Sequence, residues 1–296
     1  MKTNFNRRSA IKGILASTAA LSIPLELSAF GLSKEKTTTI PMLKGNINHS
    51  VSRWCFNSLD LETLCIEAKK MGITGIDLVG PEAWPTLKKY NLISTMCNGA
   101  ELNLVDGFND IQFHEKLIQR YTEIIPRVAE AGYKNLICFS GNRRGKTDEE
   151  GWNNCVIGLQ KLIPLAEKHN ITLVMELLNS KIDHKDYQCN KTSWGVELVK
   201  RINSDHFKLL YDIYHMQIDE GDVIRTIKDN IQHIAHFHTA GVPGRNEIDE
   251  TQELNYPAIM RAIAGTGFKG FVGQEFVPKY TDKLASLQQA ITICDI

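Results

Sequence analysis

Four strand-like segments in the second half of the chain each end on a side chain that binds metal ions well. They end at Glu176, Asp212, His238 and Glu275, at intervals of about 25 to 40 residues, and His215 follows the second segment. A charged group at the end of a buried apolar strand is costly unless it is paired, hydrogen-bonded or bound to a metal. Since helical stretches separate the segments, the pattern favours one shared site at the C-terminal ends of parallel strands.

These residue types indicate which ion such a site would hold. Three carboxylates and one imidazole form an oxygen-rich ligand set. This set favours Mn²⁺ or Mg²⁺, and Co²⁺ or Zn²⁺ could also occupy it. Three carboxylates and a +2 ion leave the site with a charge near −1, which suits a neutral polyol or a ketone oxygen.

Strand-like and helical runs alternate from residue 40 onwards and must position these groups. The predicted strands are Ile47–Ser52, Gly75–Val79, Ile93–Cys97, Asn135–Phe139, Ile171–Glu176, Lys208–Asp212, Ile234–His238 and Phe271–Glu275. Eight strand–helix units in about 257 residues predict an α/β fold, a single-domain (β/α)₈ TIM barrel over residues 46–296. The alternative, a doubly wound sheet, should carry a Gly-rich turn after its first strand, and residues 52–57 contain no Gly.

Helical patterns fill the intervals between the predicted strands. They cover Leu61–Met71, His114–Ala131, Asn154–His169, Trp194–Ile202, Val223–Asn230 and Tyr256–Ala264. Gly72, Gly132 and Gly267 follow three of these helices and are predicted C-caps. The connections at residues 98–110 and 177–194 are long, which is typical of lids or subunit contacts.

The N-terminus has the pattern of an export signal. Arg7 and Arg8 precede the apolar run Gly13–Leu25, and Leu27-Ser28-Ala29 offers a small-residue cleavage site. Residues 1–29 therefore predict a twin-arginine signal peptide, followed by a linker at 30–45 and a periplasmic location. Retention as an uncleaved anchor stays open.

Composition limits the classes of partner. Without residues 1–29 the chain carries 30 basic and 33 acidic side chains, a formal charge of −3. This balance favours neither a nucleic-acid partner nor a membrane contact beyond the export machinery. Seven cysteines without metal-site spacing predict no disulfide framework, and a homo-oligomer stays open.

The order of the segments resembles a known superfamily. Its most specific pieces are Tyr211–Gln217 and His236–Arg245, with a Glu before them and Gln-Glu-Phe at 274–276 after them. This order is similar to the xylose isomerase-like barrels, and within them to the hydroxypyruvate isomerase-like branch, a relative of the ketose 3-epimerases. The resemblance covers essentially all of residues 46–296. Many hydroxypyruvate isomerases carry Gln where this chain has His238, which moves it toward the epimerases.

The resemblance implies a metal-dependent isomerase or epimerase of a small hydroxy-ketone or sugar. It implies one divalent ion held by Glu176, Asp212, His238 and Glu275, with the two Glu also transferring protons through a metal-stabilised enediolate. It implies that His215 and Arg245 hold substrate oxygens and that Trp54 forms an apolar wall. Glu101 and Asn179 carry weaker signals, and His236 is typical of a core histidine.

Two other functional classes stay open. The first is a metal-dependent sugar lyase or hydrolase on the same barrel, including the endonuclease IV-like nucleases, which need more metal ligands and a basic surface. The second is a non-catalytic periplasmic sugar-binding barrel, which the intact set of four ligands disfavours. The exact substrate and the choice between isomerisation and epimerisation stay undecided.

Overall fold

Eight parallel strands close into a barrel in sequence order. The computed structural model describes residues 42–296, so the predicted signal peptide and residues 30–41 of the predicted linker lie outside the described residues. Strand β1 pairs with β2 on one side and with β8 on the other, which completes the ring. The strands are β1 Asn48–Ser52, β2 Gly75–Val79, β3 Ile93–Cys97, β4 Asn135–Cys138, β5 Thr172–Glu176, β6 Phe207–Asp212, β7 Ile234–Thr239 and β8 Phe271–Gln274. The predicted (β/α)₈ barrel is confirmed.

Ten α-helices surround the barrel within the described residues. They are α1 Leu61–Lys70, α2 Trp84–Lys89, α3 His114–Glu130, α4 Asp148–Leu159, α5 Ile163–His169, α6 Thr192–Ile202, α7 Ile213–Asp219, α8 Val223–Asn230, α9 Tyr256–Gly265 and α10 Lys283–Cys294. All three predicted C-cap glycines take positive φ, at +81° for Gly72, +84° for Gly132 and +79° for Gly267. This left-handed conformation is the one that glycine adopts without a Cβ penalty.

The helix prediction was wrong in two respects. The predicted helix Asn154–His169 is two helices, α4 and α5, because Pro164 falls in the first turn of α5 and has no N–H to continue the preceding helix. Helices α2, α7 and α10 were not predicted. The first two have six and seven residues, too few to show a helical period.

Burial explains why the strands read as apolar runs. Most residues of β5 to β7 are buried on both faces, because helices cover the outside and side chains fill the inside. All seven cysteines are buried free thiols. Within residues 42–296, helices long and apolar enough to cross a membrane are absent.

Candidate metal and catalytic site

Four buried ligands meet at the C-terminal end of the barrel. Glu176 ends β5, Asp212 ends β6, His238 is the fifth residue of β7, and Glu275 follows β8 directly. One ligand atom from each side chain lies within 4.8 Å of the other three. None of the four residues is more than 4 % exposed. Adjacent parallel strands thus bring together residues that are far apart in sequence, as the strand-end pattern predicted.

The electrostatics of this cluster are unbalanced. Burial raises the pKa of Asp212 to about 7, despite the opposing charge of Arg245. Burial would also raise the pKa of Glu275, but the charges of His238 and Arg245 outweigh it and hold that pKa well below its usual range. The carboxylates, led by Glu275, overcome burial and raise the pKa of His238 well above its usual value. The three carboxylates of the cluster therefore stabilise nearby positive charge, including the protons bound to His238 and Asp212.

The donor set fits a divalent cation. His238 Nδ1 lies 2.8 Å from Glu275 Oε2 and 3.1 Å from Glu176 Oε1, so the imidazole nitrogen and two carboxylates face one small space. A +2 ion would take the place of the protons that His238 and Asp212 otherwise hold. Carboxylate oxygens with one imidazole suit a hard or borderline ion.

A second layer lies beneath the four ligands. Asp77 of β2 is completely buried and accepts hydrogen bonds from His236 Nε2 at 2.7 Å and His238 Nε2 at 3.2 Å. Burial would raise the pKa of Asp77, but these two histidines lower it to about 2. Because Asp77 engages Nε2 of His238, Nδ1 is the nitrogen that faces the ligand cluster. His236, predicted as a core histidine, is buried and bonds Asp77.

Arg245 lies at the centre of the predicted substrate-binding residues. Its Nη2 donates to Asp212 Oδ2 at 3.2 Å and to Glu275 Oε2 at 2.5 Å, while Nη1 lies 2.7 Å from His215 Nε2. The guanidinium also sits over the rings of Trp54 and Tyr214, 5.4 Å from each centroid. The structure thus brings Arg245, His215 and Trp54 to the ligand cluster.

Trp54 has a second contact beyond the predicted apolar wall. It lies in a short 3₁₀ turn after β1 and its Nε1 donates to Glu275 Oε1 at 2.7 Å. The indole therefore orients one of the two glutamates and presents an apolar face to the space above. The sequence alone cannot distinguish a Trp that donates such a hydrogen bond from a Trp that only packs in the core.

A cavity of about 340 Å³ opens above these groups. Its charged lining is Glu176, Glu275 and Arg245, and its remaining lining is Trp54, Leu78, Leu104, Phe139, Leu178 and His184. A small cavity with apolar walls and a few convergent polar groups is typical of a small-molecule site. Both predicted proton-transfer residues reach this cavity.

Sequence reasoning missed several contacts around His215. Asn179 and His184 lie in the long β5–α6 connection, and His215 Nδ1 is 2.6 Å from Asn179 Nδ2. The ring of His184 lies 5.2 Å from that of His215. The unusual length of this connection was the available signal, but it could not say which loop residues turn inward.

Comparisons with known proteins identify the family and agree with the barrel fold. The family described as xylose isomerase-like TIM barrel matches residues 66–292. The 2-oxo-tetronate isomerase of Cupriavidus necator is 35 % identical over 114 residues, which is 38 % of this chain and 43 % of that protein. The hydroxypyruvate isomerase of Escherichia coli K12 is 29 % identical over 151 residues, 51 % of this chain and 58 % of that protein. The chain thus spans about half the length of the curated relatives it matches.

Solved structures share the barrel. A crystal structure of an AP endonuclease of family 2 from Brucella melitensis superimposes with a TM-score of 0.72 at 25 % identity, covering 81 % of this chain and 97 % of the other. D-Psicose 3-epimerase from Clostridium cellulolyticum H10, solved with D-tagatose, gives 0.69 at 16 % identity, covering 84 % and 100 %. The second likeness is one of fold alone.

Proposed function

The chain belongs to the xylose isomerase-like TIM barrel family, and from that premise we propose that it is a divalent-metal-dependent isomerase or epimerase of a small hydroxy-ketone or sugar. The observation that carries the proposal is the buried meeting of Glu176, Asp212, His238 and Glu275 beneath a 340 Å³ cavity. The printed activities of the relatives, 2-oxo-tetronate isomerase and hydroxypyruvate isomerase, support the same reaction class.

In this proposal those four residues hold the ion. When bound, the ion supplies Lewis-acid polarisation of a carbonyl and its neighbouring hydroxyl, which makes the C–H between them more acidic. Mn²⁺ or Mg²⁺ fits the oxygen-rich set best, with Co²⁺ or Zn²⁺ as further candidates.

Glu176 and Glu275 transfer the proton. Both line the cavity, whereas Asp212 and His238 do not, so the two glutamates are the ligands within reach of a substrate carbon. One carboxylate accepts the C–H proton and leaves an enediolate. Return of the proton to the same carbon from the other face gives an epimer, and return to the next carbon gives the aldose–ketose isomer.

The remaining residues position the substrate and exclude water. Arg245 lines the cavity, and His215 lies behind it with Nε2 2.7 Å from Arg245 Nη1, so this pair suits the substrate oxygens, where negative charge develops. Trp54, Leu78, Phe139 and the other apolar lining residues would surround a bound carbon chain with apolar side chains. A low-dielectric surrounding strengthens each of these electrostatic contacts.

A second candidate function is a metal-dependent lyase or hydrolase. One observation favours it: Asp77, His236 and His238 form a second buried group of possible metal ligands beside the first. A hydrolase with more than one metal ion would need such additional ligands. The Brucella melitensis structure named as an AP endonuclease shares the barrel.

Metal analysis together with proton exchange tests the proposal. We expect the purified protein to bind one divalent ion and to incorporate solvent deuterium into hydroxypyruvate or a keto-sugar while it isomerises or epimerises it. Metal should also raise the unfolding temperature, because a ligand that binds only the folded state stabilises it. Asp212→Ala and His238→Ala should lose metal content and this shift together.

Three results would contradict the proposal. Full metal occupancy in both alanine variants would remove the ligand assignment. Cleavage or dehydration of a sugar derivative, with no exchange on any hydroxy-ketone tested, would replace the isomerase with the lyase. Binding of sugars without turnover would favour the non-catalytic sugar-binding barrel.

We also propose that residues 1–29 export the protein by the twin-arginine route.

A further inference from the structure

Of the polar side chains that line the cavity, His184 alone makes no hydrogen bond within residues 42–296. Trp54 Nε1 and Arg245 Nη2 both donate to Glu275. Glu176 lies 3.1 Å from the imidazole of the ligand cluster. The ring of His184 is therefore the polar group that is left to bind a molecule in the cavity.

The backbone of His184 is fixed although its ring is not hydrogen-bonded. Its N–H donates to the Asn179 carbonyl at 3.1 Å, and its own carbonyl accepts from the Tyr187 N–H at 2.9 Å. Asn179 is buried, and its Oδ1 accepts from two backbone N–H groups of the same loop, each at 3.0 Å. The His184 ring packs on that of His215, with 5.2 Å between the centroids. The loop thus holds this imidazole against the cavity without using its nitrogen atoms.

Burial places His184 nearer the mouth of the cavity than the proposed metal ligands. The side chains of Glu176 and Glu275 are almost completely buried. His184 is half-buried and lies between two exposed residues, Asp183 and Lys185. A substrate held at the ligand cluster by its reacting carbons would therefore reach His184 with atoms farther along its chain.

The rest of the cavity wall offers such atoms no polar partner. Its remaining side chains are apolar: Leu78, Leu104, Phe139 and Leu178. A hydroxyl that loses its water without gaining a new hydrogen bond is costly. An oxygen beyond the reacting carbons therefore finds its partner at His184. An imidazole carries at least one N–H donor whether it is neutral or protonated, so this contact does not depend on the charge of the ring.

The volume of the cavity also favours a substrate with such an oxygen. Its 340 Å³ equals the volume of about eleven water molecules in the liquid, at ~30 Å³ each. Three-carbon hydroxypyruvate would leave much of this space unfilled. A ketose of five or six carbons would occupy more of it and would carry hydroxyls beyond the reacting carbons.

We propose that His184 is a specificity-determining residue that hydrogen-bonds a substrate hydroxyl beyond the reacting carbons. The substrate is then a ketose longer than hydroxypyruvate, with its C–H groups against the apolar wall. The inference rests on the proposed function for the reaction. The contact itself requires only that a ketose binds in the cavity.

Kinetics with paired substrates tests this contact. The panel consists of hydroxypyruvate and of the D- and L-ketoses of three to six carbons, assayed with Mn²⁺ by solvent-deuterium incorporation. The best substrate is then compared with its deoxy analogues, each of which lacks one hydroxyl beyond the reacting carbons. We expect one analogue to lose about 10–100-fold in kcat/KM with native protein, as for one unpaired hydrogen-bonding group.

Three variants assign this loss to His184. His184→Phe keeps an aromatic ring against His215 but removes both nitrogen atoms. It should raise KM for the parent ketose about 10–100-fold with little change in kcat, and it should use the parent and that analogue equally well. His184→Gln keeps an N–H donor and should recover part of the discrimination. Lys185→Ala changes the exposed neighbour, is the matched control and should keep the native values.

Three kinetic results would overturn the inference. The first is equal use of the parent ketose and all its deoxy analogues by native protein, a comparison that needs no variant to fold. The second is discrimination that persists in His184→Phe, including a fall in kcat alone, which would show that the ring only packs against His215. The third is a three-carbon compound as the best substrate of the panel.

Calorimetric binding separates this inference from the proposed function. If native protein binds a ketose with Mn²⁺ but does not turn it over, and His184→Phe binds it about 10–100-fold more weakly, the isomerase fails and the His184 contact stands. Equal affinity of the two proteins for the ketose would overturn the contact, whatever the turnover. If none of the ketoses binds to native protein, both proposals fail.

Discussion

The two cavity-lining glutamates have different surroundings. Glu275 is held by Trp54 Nε1 at 2.7 Å, by Arg245 and by His238 Nδ1 at 2.8 Å. Glu176 shares the His238 contact, at 3.1 Å. A carboxylate with several donors, such as Glu275, is a firmly oriented and weakly basic group. Because the two surroundings differ, replacing each glutamate in turn tests whether both of them transfer protons.

We predict that Glu176→Gln and Glu275→Gln each lower kcat by about 10²-fold or more while substrate still binds. Gln keeps the size and an oxygen ligand but cannot accept the proton. The measurement is exchange of the substrate C–H proton with deuterated solvent in each variant, alongside turnover. Metal content measured in the same samples separates a lost base from a lost ligand.

A different pattern would contradict the two-base reaction. A one-base shuttle predicts that one variant is almost inactive and the other is mildly impaired. The Trp54→Phe variant is a useful comparison, since it removes the N–H bond to Glu275 but keeps the aromatic wall. It should fall between the native protein and Glu275→Gln.

The sequence could reveal only part of this site. Glu176, Asp212, His238 and Glu275 were predictable because a strand's end is visible as the end of an apolar run, and parallel strands end together. Asp77 was missed because it lies inside a short strand, where no local pattern tells which strand across the barrel it faces. Asn179 was given a weak signal because its partners come from loop geometry.

At the scale of elements, an irregularity in β2 accompanies the inward position of Asp77. The pairing of β2 with β3 shifts register on both sides of Asp77, and Leu78 takes φ +55°. A left-handed non-glycine residue is costly and is concentrated at functional sites. Here it coincides with Asp77 on the barrel interior and Leu78 on the cavity wall.

Strand β8 leaves space for the same carboxylate. A Cβ on Gly273 would lie 2.0 Å from Asp77 Oδ2 and 3.0 Å from His238 Cδ2. Gly273 also pairs with His238 in the β7–β8 register. Glycine at this position thus leaves room for Asp77 to reach His238 of the candidate metal site.

We predict that Asp77→Asn weakens metal affinity by 10–100-fold, the usual effect of changing a carboxylate that bonds a metal-binding histidine. The amide keeps an oxygen for the histidine N–H groups but removes the charge that makes His238 a better ligand. Competition with a metal indicator on folded protein measures the dissociation constant.

Asp295→Asn is the matched control for this prediction. Asp295 lies 3.8 Å from His49 Nε2, a second Asp–His pair, placed by β1 near the opposite end of the barrel. The control should change thermal stability without changing metal affinity. Equal metal affinity in native protein and Asp77→Asn, with a lowered unfolding temperature, would show that Asp77 only stabilises the core.

The strands and helices could be predicted from the sequence where each is long enough to show a clear pattern. The predicted strand bounds match the structure within one residue, since a buried parallel strand is a short apolar run bounded by polar residues. Helix α7 is too short to show a helical period, and it begins after Asp212, which acts as its N-cap and accepts from His215 N at 3.2 Å. The sequence therefore showed Asp212 and His215 as site residues but not the helix that separates them by one turn.

At the scale of the whole molecule, the barrel carries most of the chain and the first 29 residues have a different composition. Residues 1–29 hold four basic side chains and one acidic one, whereas the remainder has a formal charge of −3. Export of a folded protein by the twin-arginine route would allow a metal ion to be bound before the membrane is crossed. A buried ligand cluster formed by four strands exists only in the folded state.

We predict that changing Arg7 and Arg8 together to Lys leaves the protein in the cytoplasm of a bacterial host. Lys preserves the positive charge, so the change tests recognition of the arginine pair and not the basic character of the segment. Lys12→Arg is the matched control and should be exported. A shortened chain that begins near Leu32 should keep the thermal unfolding and metal content of the full chain, since residues 1–29 are expected to add nothing to the barrel. Fractionation of the host cells with an immunoblot measures location, and unaltered export of the Lys pair would exclude the twin-arginine route.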